Sequence, residues 1–216
     1  MIVKKVIYSP ASAEIVNQYN NRPSKDHNFW SEEVVKALRK EMRDHYIHEQ
    51  KHLCCYCGIP EPSIHGLDWD VEHIAPKAKH PEFMFTEANL AVVCKECNGH
   101  KGSKNVFAGA RPADYPTTAD AYLVVHPHFD EWSDHLLRDH LTYAAFTAKG
   151  RWTIEKCRLN RFDERVIGIR YPISDTRFEK TVRQLLDRQL TLQEVADIIE
   201  PLVRAASLIA TRRPTD

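Results

Sequence analysis

Two matched cysteine pairs stand out in the chain: Cys54 with Cys57 in CCYCG, and Cys94 with Cys97 in CKEC. A C-x-x-C turn lets two thiolates reach one ion, and two such turns complete a tetrahedron with Zn–S distances of about 2.3 Å. The spacing therefore predicts a structural zinc held by Cys54, Cys57, Cys94 and Cys97. Cys55 is left over, because a Cys55/Cys57 pair has a single intervening residue and matches the second turn poorly. Cys157 is isolated and reads as a small buried apolar residue. Zinc with four sulfur ligands is coordinatively closed and activates no water. The predicted cage is scaffold, and any chemistry must lie beside it.

The interval between the pairs is where that chemistry is sought. A simple zinc ribbon separates its knuckles by about 15–20 residues, and here the gap is about twice as long. It contains DVEHIAPKAKHPEF and EANLAVV, and CNGHKG closes it. Hydrolysis of a phosphodiester needs a base to deprotonate water and a cation to offset charge in the transition state. A neutral imidazole can take that proton near pH 7. A carboxylate and an amide oxygen are suitable hard ligands for Mg²⁺. Alone, the dipeptide Glu72–His73 would be an ordinary strand end. In register with Asn89, Asn98 and both knuckles it becomes a candidate site.

These residues resemble the HNH endonucleases, the ββα-metal group, in the branch framed by a four-cysteine zinc site. The resemblance implies that His73 is the general base and that Glu72 and Asn98 bind a catalytic divalent metal, Mg or Mn. It implies that Asn89 positions the loop carrying the histidine. Lys101, in the CNxxKG pattern, and more weakly Lys77 are implied as nucleic-acid contacts. The expected products are a 5′-phosphate and a 3′-hydroxyl. Farther on, HPHFDEWSDHL and KGRWTIEKCRLNRFDERV look like the region downstream of the core in the small HNH proteins of Septu-type antiphage systems and some retron systems. That subgroup works beside an SMC/ABC-type ATPase, which implies such a partner here, with DNA favoured over RNA as substrate.

The elements that must position these residues follow from patterning. The fold class expected is α+β, mainly α: a ββα-metal (HNH) core braced by the four-cysteine zinc site, with flanking helices. Three stretches are read: 1–50, an N-terminal strand and helix; 51–105, the nuclease core with its zinc knuckles; and 106–216, a helical C-terminal region. IVKKVIY suggests a short strand, followed by a polar turn-rich segment. A helix is expected from Ser31 as N-cap, with Val34, Leu38 and Met42 at helical spacing. DWDVEHI and NLAVVC read as short strands, and KECNGHKGSK as a turn leading into a helix. A hairpin is predicted near LTYAAFTAKGRWTIEKC, and Thr191 with Glu194 forms a capping-box pattern for a last helix that Pro201 interrupts. Neighbouring strand residues face opposite ways, so Glu72 and His73 can share a site only if the strand ends, bulges or turns, and Pro76 is consistent with that.

Other histidines carry less. His45, His48 and His52 read as a solvated helix face, His126 and His128 as packing and loop residues, and His80 and His100 as solvated positions. The 216 residues include 30 basic and 30 acidic side chains, so the formal net charge is zero. A dedicated nucleic-acid binder usually carries a basic excess, so phosphate attraction is expected to be local or supplied by a partner. No apolar run approaches the roughly 20 residues that span a bilayer, and a cytoplasmic location is expected. The competing function is a zinc-stabilised nucleic-acid or protein binding module whose nuclease site is vestigial.

Overall fold

The structure is a computed structural model that describes residues 2, 4–139, 141–161, 191 and 193–197. The chain divides into two compact units, Met1–Arg170 and Tyr171–Asp216. Within the first, β1 (Trp69–His73) and β2 (Leu90–Cys94) form an antiparallel hairpin with Asp70 opposite Val93 and His73 opposite Leu90. Helix α3 (Lys95–Lys101) follows β2 directly and packs on both strands. The expected strands are thus present, and the helix begins at once after Cys94, without the anticipated turn. The strand β2 sequence LAVVC is an unbroken apolar run because nearly every residue in it is buried.

Two helices precede this hairpin. Helix α1 (Pro10–Asn20) was not expected from the sequence, although its start carries the proper signals. Proline occupies its first turn, and the Ser9 hydroxyl accepts from Ser12 N. Helix α2 is Lys36–Glu49, later than the start expected at Ser31. Residues His27–Ser31 and Glu33–Val35 form short 3₁₀ turns, which place Phe29 and Val35 in the core before the α-helix begins. Leu38, Met42, Tyr46 and Ile47 form the buried stripe of α2, which packs on both β1 and β2. At its end the Gln50 amide closes the open edge of β2. Its oxygen accepts from Val92 N at 2.7 Å and its nitrogen donates to Val92 O at 2.9 Å.

The strand expected at IVKKVIY is absent among the described residues there. The reason lies in where the backbone donors go. Ile2 N donates to Pro127 O at 2.7 Å, Lys4 N to Glu49 Oε1 at 3.0 Å and Val6 N to the Tyr46 hydroxyl at 3.3 Å. A chain whose donors are taken by scattered partners builds no ladder.

A second hairpin, β3 (Leu136–Asp139) with β4 (Thr142–Ala145), is followed by α4 (Ala148–Lys156). The predicted hairpin therefore covers a shorter stretch than expected, and the residues from Ala148 onward are helical. Thr147 caps α4 by accepting from Gly150 N at 3.1 Å. In the second unit, Thr191 N donates to Glu194 Oε2 at 2.8 Å, and residues 193–197 are helical, as the capping box requires. Pro201 lies outside the described residues.

Candidate active site and metal centre

The four paired cysteines come together. Each of Cys54, Cys57, Cys94 and Cys97 presents its sulfur within 4.8 Å of the other three, and the Cys57–Cys94 separation is 4.0 Å. An ideal tetrahedron with Zn–S bonds of about 2.3 Å has S···S edges of about 3.8 Å, so the sulfur cluster is compatible with zinc. Cys54, Cys57 and Cys97 are buried, and Cys94 is partly exposed. Burial pushes the Cys54 thiol up, while hydrogen bonds from the other cysteines hold Cys94 low. A divalent cation would draw all four toward thiolate. Cys94 N also donates to Cys54 Sγ at 3.4 Å. Cys55 and Cys157 are buried outside the cluster.

A residue not singled out from the sequence completes the cage's surroundings. Arg161 is buried, and its Nη1 lies 3.6 Å from Cys97 Sγ while its Nε donates to Glu96 Oε2 at 2.5 Å. A guanidinium beside a sulfur-rich ion site offsets the excess negative charge of four thiolates. Arg161 is 64 residues from Cys97 in sequence, and no local pattern announces the contact.

The carboxylates of β1 face α3. Alternation along the strand puts Asp70 and Glu72 on one side. Asn98 Nδ2 donates to Asp70 Oδ2 at 2.8 Å, and Lys95 pairs with the other oxygen of Asp70. One helical turn on, Lys101 pairs with Glu72, and its ammonium also donates to His73 O at 2.6 Å. Glu72 and Lys101 are both buried. The Tyr56 hydroxyl completes the set, donating to Glu72 Oε1 at 2.9 Å. Lys101, expected as a phosphate contact, is thus an internal counter-ion, because a buried ammonium needs an anion beside it. Asp70 is an acid the sequence reading passed over, yet it is the one bonded to Asn98. The i, i+2 spacing from Glu72 was the available signal.

His73 is the last residue of β1 and is buried. By alternation its ring points away from Glu72, toward the N-terminal helices. There the Trp30 ring meets it edge-on, with centroids 4.4 Å apart. Its Nε2 lies 3.1 Å from Met84 O, and since a carbonyl only accepts, Nε2 carries the proton and Nδ1 keeps its lone pair. Burial, with Lys77 and Lys101 nearby, holds the His73 pKa well below the usual histidine value. The imidazole is therefore neutral near pH 7. Lys77 is half-buried, 5.9 Å above the Trp30 ring, and burial lowers its pKa while Glu72 opposes that shift. Glu72 and His73 thus leave the strand on opposite faces but share Lys77 and Lys101 as neighbours at the strand's end.

Asn89 makes that end. Ile74 N donates to Asn89 O at 2.9 Å, and the Asn89 side chain then takes over from the ladder. Its Oδ1 accepts from Ala75 N at 2.7 Å, and its Nδ2 donates to Phe83 O at 2.9 Å and Ala75 O at 3.2 Å. One buried amide therefore pins both arms of the loop 74–89 just beyond His73.

Residues 54–104 match the HNH endonuclease family. The cage, β1, β2 and α3 all fall within this HNH segment. The chain is also similar to Septu protein PtuB of Bacillus thuringiensis, 26% identical over 160 residues that cover 73% of this chain and 52% of that protein. It is similar to Protein ea31 of Escherichia phage lambda, 30% identical over 96 residues, or 44% of this chain and 26% of that protein. The chain thus spans about half the length of the first relative and about a quarter of the second. Trp30 and Arg161, which touch the HNH segment's imidazole and sulfur cage, both come from outside residues 54–104.

The remaining histidines are sorted by burial. His80, expected at the surface, is buried, stacked on Phe83 and edge-on to Phe107. His100 is half-buried on α3, where a solvated loop residue was expected. His126 and His128 are packing residues, as expected. His126 Nε2 meets the Tyr115 hydroxyl at 2.9 Å, and His128 Nε2 meets Leu90 O at 2.7 Å. His48 is exposed and His45 half-buried on α2, whereas His52 falls beyond that helix's end. No helix among the described residues is long and apolar enough to cross a membrane.

Proposed function

We propose that this chain is a divalent-metal-dependent HNH endonuclease with a ββα-metal core, hydrolysing nucleic-acid phosphodiester bonds with DNA favoured over RNA. The observation that carries the reading is the state of His73. It is a neutral, buried imidazole whose Nε2 proton is committed to Met84 O, so Nδ1 is the atom that accepts a proton from water. Asn89 holds the loop just beyond that acceptor. Glu72 and Asn98 offer a carboxylate and an amide oxygen to a catalytic ion, and Asp70 lies on the same strand face. Such hard oxygen donors fit Mg or Mn. The bound ion would supply positive charge at the scissile phosphate. Lys77, in the loop just beyond the strand, meets the nucleic-acid backbone, and Lys101 pairs with Glu72 in a buried setting. The four-sulfur cage holds zinc as scaffold.

The likeness to a Septu protein supports a role in antiphage defence. On that reading the chain is the cutting subunit of a cytoplasmic complex with an SMC/ABC-type ATPase, of the kind found in Septu and some retron systems. The absence of a basic excess agrees with a partner that brings nucleic acid to the site. The test is cleavage of plasmid and of RNA with Mg²⁺ or Mn²⁺ by the wild type and by His73→Ala, with and without a co-purified ATPase. Cutting lost in the variant while zinc is retained is the expected result. Equal cutting by both would refute the base assignment.

One observation favours a second reading, a zinc-stabilised binding module. Glu72 already has a cation, Lys101, as its partner. That reading requires nucleic acid or protein to be bound without metal-dependent cleavage by the wild type.

A further inference from the structure

Tyr56 sits in the middle of the first cysteine turn, between Cys54 and Cys57, and is fully buried. Its hydroxyl donates to Glu72 Oε1 at 2.9 Å, and its own carbonyl is held by Trp132 Nε1 at 3.0 Å. Lys101 lies one helical turn beyond Cys97 on α3 and meets the same oxygen, Oε1. Each half of the sulfur cage therefore sends one side chain to one carboxylate. Both donors engage Oε1.

We propose that Tyr56 is a positioning residue: it transmits the geometry of the zinc cage to the Glu72 carboxylate, pinning Oε1 so that Oε2 is presented to the catalytic ion. The proposal rests on the reading of Glu72 as a ligand of that ion. A glutamate side chain has several rotamers, and a ligand that must be ordered on binding costs affinity. Two donors on one oxygen remove that freedom beforehand. The arrangement also explains why a coordinatively closed zinc belongs beside a reactive centre. The ion does no chemistry there, but the turn it folds carries the phenol that orients the acid.

The test uses the full-length, zinc-loaded chain and Mn²⁺ alone as probe, titrated by electron paramagnetic resonance in the absence of nucleic acid. Tyr56→Phe keeps the ring and removes the hydroxyl. Tyr143→Phe is the matched control, because the buried Tyr143 hydroxyl donates to Cys57 O at 2.8 Å on the same turn but not to Glu72. Partners that hydrogen-bond a metal ligand are typically worth about 10–100-fold in affinity, so Y56F is expected to weaken Mn²⁺ binding about tenfold while keeping its zinc. Y143F is expected to bind Mn²⁺ as the wild type does. Wild-type affinity in Y56F, equal losses in both variants, or loss of zinc from Y56F would each overturn the proposal. Glu72→Gln separates the two levels. If it binds Mn²⁺ unchanged, the ligand reading itself is wrong; if it weakens binding while Y56F does not, the failure belongs to Tyr56 alone.

Discussion

The chain builds the same order of elements twice, β1–β2–α3 and β3–β4–α4, and the candidate chemistry belongs to the first alone. The two motifs differ in what lies between strands and in how the helix meets them. In the first, residues 74–89 separate the strands, and Asn89 pins that loop so that His73 ends the sheet facing Met84 O and Trp30. Its helix meets the strand through charged and amide pairs, Asn98 with Asp70 and Lys101 with Glu72. In the second, two residues separate the strands, and α4 approaches at backbone distance. A Cβ added at Gly150 would lie 2.1 Å from the His135 carbonyl oxygen. The strand–strand–helix order is thus a frame. A reactive centre needs a frame with room for polar side chains between its layers and a loop that ends the strand at a base.

The largest expected effect sharpens that contrast. Zinc binding supplies about 10–16 kcal/mol in small zinc modules, so chelation with verified zinc loss is expected to unfold the β1–β2–α3 motif, followed by calorimetry and near-ultraviolet circular dichroism. Melting unchanged after zinc loss would mean that the cage does not hold the hairpin. Next comes His73→Ala. Loss of a general base typically costs about 10²–10⁴-fold, and cutting per folded molecule in the plasmid assay is expected to fall by that much. A drop below tenfold would shift the base role to another group.

Acid is expected to act next, and on the β1–β2–α3 motif. His73 and His128 brace its loop and strand β2, and burial lowers both pKa values, that of His128 from 6.5 to about 4. An unfolded chain takes up protons on these groups near pH 6.5, while the folded one resists. Stability is therefore fully present above about 6.5 and falls as the pH drops toward 4, by about 3 kcal/mol for His128 alone. Urea titrations between these limits, with zinc content followed in parallel, measure the slope; a flat profile would contradict burial of the neutral rings. The smallest effect belongs to the β3–β4–α4 motif. Gly150→Ala overpacks a close contact and is expected to destabilise by about 1–3 kcal/mol while leaving metal-dependent cutting per folded molecule unchanged. Lost cutting in a folded Gly150→Ala protein would show that the two motifs are coupled.

Much of the site was legible because its signals are local. Cysteine spacing located the cage, since a two-residue gap is what one ion can bridge from one turn. The strands around Glu72 and Asn89 followed from short apolar runs bounded by turn residues. Helix α1 was missed although Ser9 and Pro10 announced it, because its interior is too polar to show a strong periodic stripe. The start of α2 was set too early because Ser31 is a good cap in isolation, whereas burial of Phe29 and Val35 imposed 3₁₀ turns first. The strand expected near the N-terminus failed for lack of a partner, a condition no propensity can supply.

The sequence alone thus determined which residues could bind metal or move a proton, because ligand type and spacing within one turn are short-range properties. Tertiary structure decided their states and neighbours. It placed Lys101 on Glu72 where a phosphate contact was expected, set Asp70 against Asn98, and brought Trp30 and Arg161 to the imidazole and the sulfur cage from distant segments. Burial and charge pairing depend on elements far apart in the chain, and only the packed fold brings those elements together.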